Sequence, residues 1–219
     1  MKTDVYIPAT FEQLLGGRPF LDVGGQLLYR RDDAYVLTHI SPAADYTVED
    51  YLRLPEGAPF QLIHAKLVYI PAPTVQHQRI AGRLHAAVFA FAESAQCGEV
   101  LMSPVDVQLD AQHVLQPDLL FVSRGRLGII GDRVTGAPDL VAEVLSPATA
   151  AYDKIGKRIA YGRAGVQEYW LVSPEERLVE VFVQQGGELI WQAALSLGDT
   201  LRTPLLPGWS LDLERLFGS

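Results

Sequence analysis

The sequence predicts an α/β fold of the α+β kind, with helices set around a mixed sheet, and three observations carry that expectation. Within residues 74–95, Ile80, Leu84, Val88 and Phe91 recur at helical spacing. Residues 117–122 and 140–145 form short, largely apolar runs, which suits strands buried on both faces. From residue 74 onward the patterns run helix, three strands, helix, strand, strand, which does not fit a doubly wound parallel sheet. A chain of 219 residues, 48% hydrophobic and 20% charged, is long enough for one well-buried core.

Residues 1–45 read as a weakly patterned N-terminal extension packed on a core domain that spans 46–219. In the extension, residues 10–15 suggest a short helix closed by Gly16 and Gly17. Residues 21–23 and 26–29 flank Gly24 and Gly25 as a small hairpin. Residues 35–40 suggest a further strand, ended by Ser41 and Pro42. Thr47 supplies a cap for a short helix over 47–52, and Asp50 adds favourable charge near its N-terminus. Residues 60–70 read as two strands with a tight turn near His64 and Ala65, closed by Pro71 and Pro73.

After the long helix, the first of the three strands covers 100–109, where Val105, Val107 and Leu109 alternate with Asp106 and Gln108. The runs at 117–122 and 140–145 are the other two. A second helix is expected over 149–164, then strands over 168–172 and 178–183 around the turn 173–176. The tail adds a strand at 189–193, a loop over 200–209 and a last short helix over 211–217. No internal repeat interrupts this order.

No apolar run approaches the roughly 20 residues that span a bilayer. The first residues lack a basic region followed by an apolar stretch. Cys97 is the single cysteine, which excludes an intramolecular disulfide and a cysteine-rich zinc site. These features predict a cytoplasmic protein. The net charge of -8 argues against a general nucleic-acid binder and leaves room for a local basic cleft.

Two acidic residues stand out because they sit in apolar strands. Asp118 opens the run that continues through Val122, and Glu143 lies inside 140–145. A buried carboxylate must be paired, hydrogen-bonded, protonated or metal-bound. Two carboxylates on neighbouring strands can share a divalent cation, and oxygen ligands suit Mg²⁺ or Mn²⁺. Farther on, Lys157 lies one helical turn beyond Asp153 and can face the same way. A lysine over such a site would stabilise the negative charge that develops in phosphoryl transfer.

The segment 138–149, with Asp139 and Glu143, then Asp153, Lys157 and Tyr161, then 165–172 ending in Glu168-Tyr169-Trp170-Leu171-Val172, resembles the Uma family of restriction endonucleases, within the PD-(D/E)XK nuclease superfamily. Gln116-Pro117-Asp118-Leu119 and the helix opening around His77 fit it as well. The resemblance covers roughly residues 45–185. It implies a restriction endonuclease-like core in which a helix, a three-stranded meander, a second helix and another strand surround the site. It also implies that Asp118 and Glu143 ligate Mg²⁺ (or Mn²⁺), and that Lys157 replaces the superfamily lysine, whose usual place is here Leu145.

One run departs from the family. Where a Glu-Leu-Ile-Asp-Gly-Glu-like stretch is typical, this chain has Gln61-Leu62-Ile63-His64-Ala65-Lys66. The amide oxygen of Gln61 can ligate but carries no charge, so Gln61 and His77 are candidates for lining the site. The leading expectation is a Mg²⁺-dependent endonuclease hydrolysing DNA, with Arg79, Arg83, Lys154 and Arg158 as a local basic rim. The alternative is a catalytically degenerate nuclease fold that serves as a binding or assembly module. Nucleases that cut two strands often pair subunits, so a homodimer is expected by analogy. Several residues read more simply. Asp139 is a strand-entry residue, His113 is solvent-exposed, Tyr161, Tyr169 and Trp170 pack in the core, and Asp153 with Lys157 can equally form a weak surface ion pair. Cys97 has no base beside it in sequence.

Overall fold

A computed structural model describes residues 20–23, 26–31, 34–37, 45–54, 57–70, 72–146 and 152–218. The expected helix at 10–15, the turn at Gly24 and Gly25, and the stop at Ser41 and Pro42 lie outside these residues. The chain divides into two compact units, Met1–Pro71 with Ala111–His113, and Ala72–Asp110 with Val114–Ser219.

In the first unit, β1 (Phe20–Val23), β2 (Gln26–Arg31) and β3 (Ala34–Leu37) form an antiparallel three-stranded sheet, with Leu21 opposite Leu28 and Tyr29 opposite Val36. Helix α1 (Val48–Tyr51) is a single turn. Its Thr47 cap accepts from the Asp50 backbone while the Asp50 side chain accepts from the Thr47 backbone, a reciprocal box that closes two otherwise orphaned donors. Strands β4 (Phe60–Ile63) and β5 (Lys66–Tyr69) pair antiparallel across His64 and Ala65, as their pattern predicts. Both turn residues have positive φ, 49° and 58°. A two-residue hairpin with matching twist requires that conformation, and Ala65 adopts it at a steric cost that a glycine would not carry.

The second unit is built on a six-stranded sheet in the order β14-β13-β12-β11-β9-β6. Helix α2 (Val75–Ala95) precedes it, capped by Thr74, whose hydroxyl accepts from the His77 backbone. Strand β6 (Gly98–Met102) follows, and a Cβ on Gly98 would collide with the Val122 carbonyl. The expected strand over 100–109 is two strands. A break at Ser103-Pro104 separates β6 from β7 (Val107–Asp110), because proline cannot donate to a ladder. Then come β8 (His113–Leu115), β9 (Leu119–Ser123), a 3-10 turn (Arg124–Ile129), β10 (Val134–Thr135), which pairs in parallel with β7, and β11 (Leu140–Val144).

The second helix, expected from 149, is described from Tyr152. It runs as a π-helical segment (Tyr152–Lys157) into α3 (Arg158–Ala164), which stops at Gly165 with φ 96°. Strands β12 (Glu168–Ser173), β13 (Leu178–Gln185) and β14 (Glu188–Leu195) complete the sheet. The short pair β15 (Thr200–Leu201) and β16 (Leu211–Asp212) and helix α4 (Leu213–Phe217) end the chain.

Strand β11 runs parallel to β12 and antiparallel to β9, and every other pair in the sheet is antiparallel. The sheet is therefore mixed, as the order of elements predicts. Alternation divides its residues between two faces. Leu119, Phe121, Leu140, Ala142, Val144, Trp170, Val172, Val179 and Val181 share one core with Ile80, Leu84 and Val88 of α2 and with Leu213 and Leu216 of α4. Burying each large apolar side chain there contributes about 1.5–3 kcal/mol. Trp170 stacks on Trp209 at 5.6 Å, and Glu168 accepts from the Trp170 indole and from Thr203, which orders the chain end against the sheet. Tyr161 of α3 and Tyr169 of β12 tilt together at 5.3 Å on the other face. A strand buried on both faces is continuous in apolarity for this reason, and Glu143 is its one acidic interruption.

Candidate functional site

Register brings the two strand carboxylates together. Ala142 on β11 lies opposite Leu119 on β9, so one further step sets Glu143 against Asp118. Glu143 is buried, and alternation from Ala142 and Val144 turns it away from the α2 core toward the helix of 152–164. Lys157 Nζ lies 2.9 Å from Glu143 Oε1 and 2.9 Å from Asp153 Oδ1. Tyr161 Oη donates to the same Oε1 at 3.1 Å, and Tyr169 Oη donates to the Asp153 carbonyl at 3.0 Å. Asp153, Lys157 and Tyr161 recur every fourth residue and form one polar stripe. Asp153 and Lys157 are 2% and 3% exposed, so the surface-pair reading fails: the stripe reaches an acidic sheet position and is drawn inward.

On the α2 side, His77 Nε2 lies 3.1 Å from Asp118 Oδ2, and the Val144 N–H donates to that same oxygen at 2.7 Å. His77 is buried. The first turn of α2 meets the start of β9, which the sequence does not reveal, and this pairs His77 with Asp118. Both donors to Asp118 converge on Oδ2, and both donors to Glu143 converge on Oε1. Oδ1 of Asp118 and Oε2 of Glu143 have no donor among the described residues.

Electrostatics separate the groups. Burial pushes the Glu143 carboxyl up to about 8; Lys157 opposes this, and the nearby charges of Asp153 and Asp118 add to it. Burial disfavours the Lys157 ammonium, but Glu143 and Asp153 outweigh it and raise its pKa. Burial likewise disfavours charged His77, and the hydrogen bond and charge of Asp118 outweigh it, so its pKa lies above the ordinary value. Burial also holds the Tyr161 and Tyr169 hydroxyls protonated.

A pH dependence follows from Glu143. The folded chain keeps a proton there up to about pH 8, whereas the unfolded chain releases it near the ordinary 4.5. The native state therefore binds more protons across that window, and its stability falls as pH rises through it. Lys157 stays protonated in both states over the same range. In EDTA, the Tm of the wild type is expected to fall between about pH 5 and 8 relative to that of Glu143→Gln. Parallel Tm curves for the two proteins would refute this.

The donor set suits a hard divalent cation. Two carboxylates on adjacent strands each leave one oxygen open, and Asp153 adds a third acidic group on the far side of Lys157. Among the described residues, no three His, Cys, Asp or Glu side chains converge as a metal cage. A cation held here would complete its shell with water and substrate oxygens, the habit of Mg²⁺.

Gln61 is buried on β4, which belongs to the first unit. Lys66 forms an exposed ion pair with Asp45 at 2.7 Å, worth little. His113 is buried, not exposed, and its Nε2 lies 3.0 Å from His64 Nδ1. Asp139 accepts from the Ser123 N–H and from Arg126, which pins the 3-10 turn to β11. Of the expected basic rim, Arg79 and Lys154 are exposed, Arg83 is engaged with the Leu216 carbonyl, and Arg158 lies over the Phe182 ring.

A family model described as "Uma2: Putative restriction endonuclease" matches residues 48–214. Among solved structures, the chain is similar to one titled a "putative nuclease belonging to DUF820" from Anabaena variabilis ATCC 29413. The two share 20% identity with a TM-score of 0.66, over 78% of this chain and 97% of the other. At that identity the likeness carries the fold alone. No curated protein matches.

Proposed function

Because the chain belongs to the Uma2 restriction endonuclease family, we propose that it is a divalent-metal-dependent endonuclease that hydrolyses DNA phosphodiester bonds, with Asp118, Glu143 and Lys157 as its catalytic residues. One observation carries the reading: two carboxylates on adjacent strands, each with one saturated and one open oxygen, and a buried lysine against one of them. Asp118 and Glu143 would hold Mg²⁺ or Mn²⁺. The bound cation supplies Lewis acidity to the phosphate and acidifies water.

The chain's own groups set the stage for that chemistry. The Val144 N–H and His77 hold Oδ2 of Asp118, which leaves Oδ1 to ligate without conformational search. Tyr161 and Lys157 do the same for Glu143. Lys157 brings a fixed positive charge into a site of low dielectric, where it steadies negative charge that develops on the phosphoryl oxygens. His77 acts through Asp118 and is a positioning residue.

The direct test is cleavage of supercoiled and linear DNA with Mg²⁺, Mn²⁺ or EDTA, alongside a calorimetric titration with Mn²⁺. Cleavage with either metal and none in EDTA is expected. A folded protein that neither cuts DNA nor binds Mn²⁺ would instead be a degenerate module, the reading that the Gln61 to Lys66 departures favour.

A further inference from the structure

Strand β14 closes one side of the six-stranded sheet, and its outer edge has no strand partner among the described residues. Its sequence is Glu-Leu-Ile-Trp-Gln-Ala-Ala-Leu, without lysine or proline. Such edges are usually blunted by charge, proline or a covering element, because their open N–H and C=O groups template pairing. Here Trp191 opposes Phe182 and Ala193 opposes Val181, so Gln192 is bulged out. The bulge sets Trp191 and Ala194 on the face that carries α3. Gly162 lets α3 lie tight against this strand, since a Cβ there would come within 2.9 Å of the Leu189 nitrogen.

A groove of about 340 Å³ lies between α3 and β14, lined in part by Arg158, Ile159, Arg163, Ile190 and Trp191. Trp191 is 55% exposed, Ile190 41% and Ile159 38%. Ile159 lies on the outward side of the helix, away from the stripe of Asp153, Lys157 and Tyr161, so the groove is separate from the carboxylate site. The charges along the edge are polarised. Its first half carries Arg158, Arg163 and Glu188, a net positive charge, and its second half is flanked by Glu180, opposite Ala194, and by Asp199 just beyond the strand. None of these five has an ion-pair partner among the described residues.

We propose that this edge and groove form a two-fold interface with a second copy of the chain, β14 packing antiparallel on its mate. A two-fold axis reverses the second strand, so the basic half of one copy meets the acidic half of the other. The contact is self-complementary, as an isologous interface requires. Trp191 supplies the large aromatic anchor at its centre. The proposal stands apart from the catalytic reading and can be tested without DNA or metal.

Light scattering and sedimentation of the full chain in EDTA are expected to give twice the 24.1 kDa chain mass. Trp191→Glu is expected to give a monomer with an unchanged circular dichroism spectrum. Arg163→Glu should raise the dimer Kd roughly tenfold or more, and adding Glu180→Arg should restore association. A wild type that stays monomeric at high micromolar concentration overturns the proposal. So does a dimer that persists undiminished in Trp191→Glu.

Discussion

Asp118→Asn and Glu143→Gln are each expected to lower metal-dependent DNA cleavage by ~10³-fold or more, about 4 kcal/mol of transition-state stabilisation. The physical basis is the loss of one anionic oxygen from a site with two. Asn at 118 keeps the shape of the side chain and can still accept from the Val144 N–H, so the fold survives and the charge alone is removed. Gln at 143 can still accept from Tyr161 and Lys157. It also removes a carboxyl that burial already holds up to about 8, so the metal-free variant should be no less stable than wild type above neutral pH. Stability and activity thus move in opposite directions at one residue, which a merely structural glutamate would not show. Because both carboxylates serve one cation, the double variant should be little worse than either single one. Equal cleavage by wild type and both variants would mean that the activity belongs to a contaminant.

The parts of this molecule that were legible in the sequence are those governed by local periodicity. The helix of α2, the apolar runs of β9 and β11, the turn at His64 and Ala65, and the cap at Thr47 all express rules that act within a few residues. Glu143 was legible because an acid inside a continuous apolar strand has few innocent uses. What sequence spacing does not carry is which distant groups meet. Burial of the Asp153–Lys157 pair depends on the acid waiting on β11, and the pairing of His77 with Asp118 depends on how α2 crosses the sheet. One signal was available: Asp153, Lys157 and Tyr161 recur every fourth residue, a polar stripe that a solvent-facing helix would not need to end in tyrosine. The short strands β8 and β10 and the turn at Arg124–Ile129 carry no comparable pattern.

Lys157→Met is expected to destabilise the protein by about 3–5 kcal/mol at neutral pH, because it leaves the buried Asp153 carboxylate without its cation and removes the donor to Glu143. Methionine fills much of the stem's volume, so a packing defect contributes little of this loss. The cost should depend on pH. Without the ammonium, Glu143 rises further above 8, and the native state holds its proton over a wider range. The fall in stability with pH then extends to higher pH than in wild type. At pH near 5 Glu143 is neutral in wild type and variant alike, so the two should differ less there. Adding Glu143→Gln to Lys157→Met removes the carboxyl that must keep its proton on folding, and should recover part of the loss at about pH 8.5. Urea denaturation of the four proteins at about pH 5 and 8.5 in EDTA measures this coupling as a double-mutant cycle. Additive effects at both values would mean that Lys157 and Glu143 do not sense each other. A coupling that grows with pH would identify the lysine as the counter-ion that keeps the Glu143 carboxylate available, and the same variant should then lose cleavage at temperatures where it remains folded.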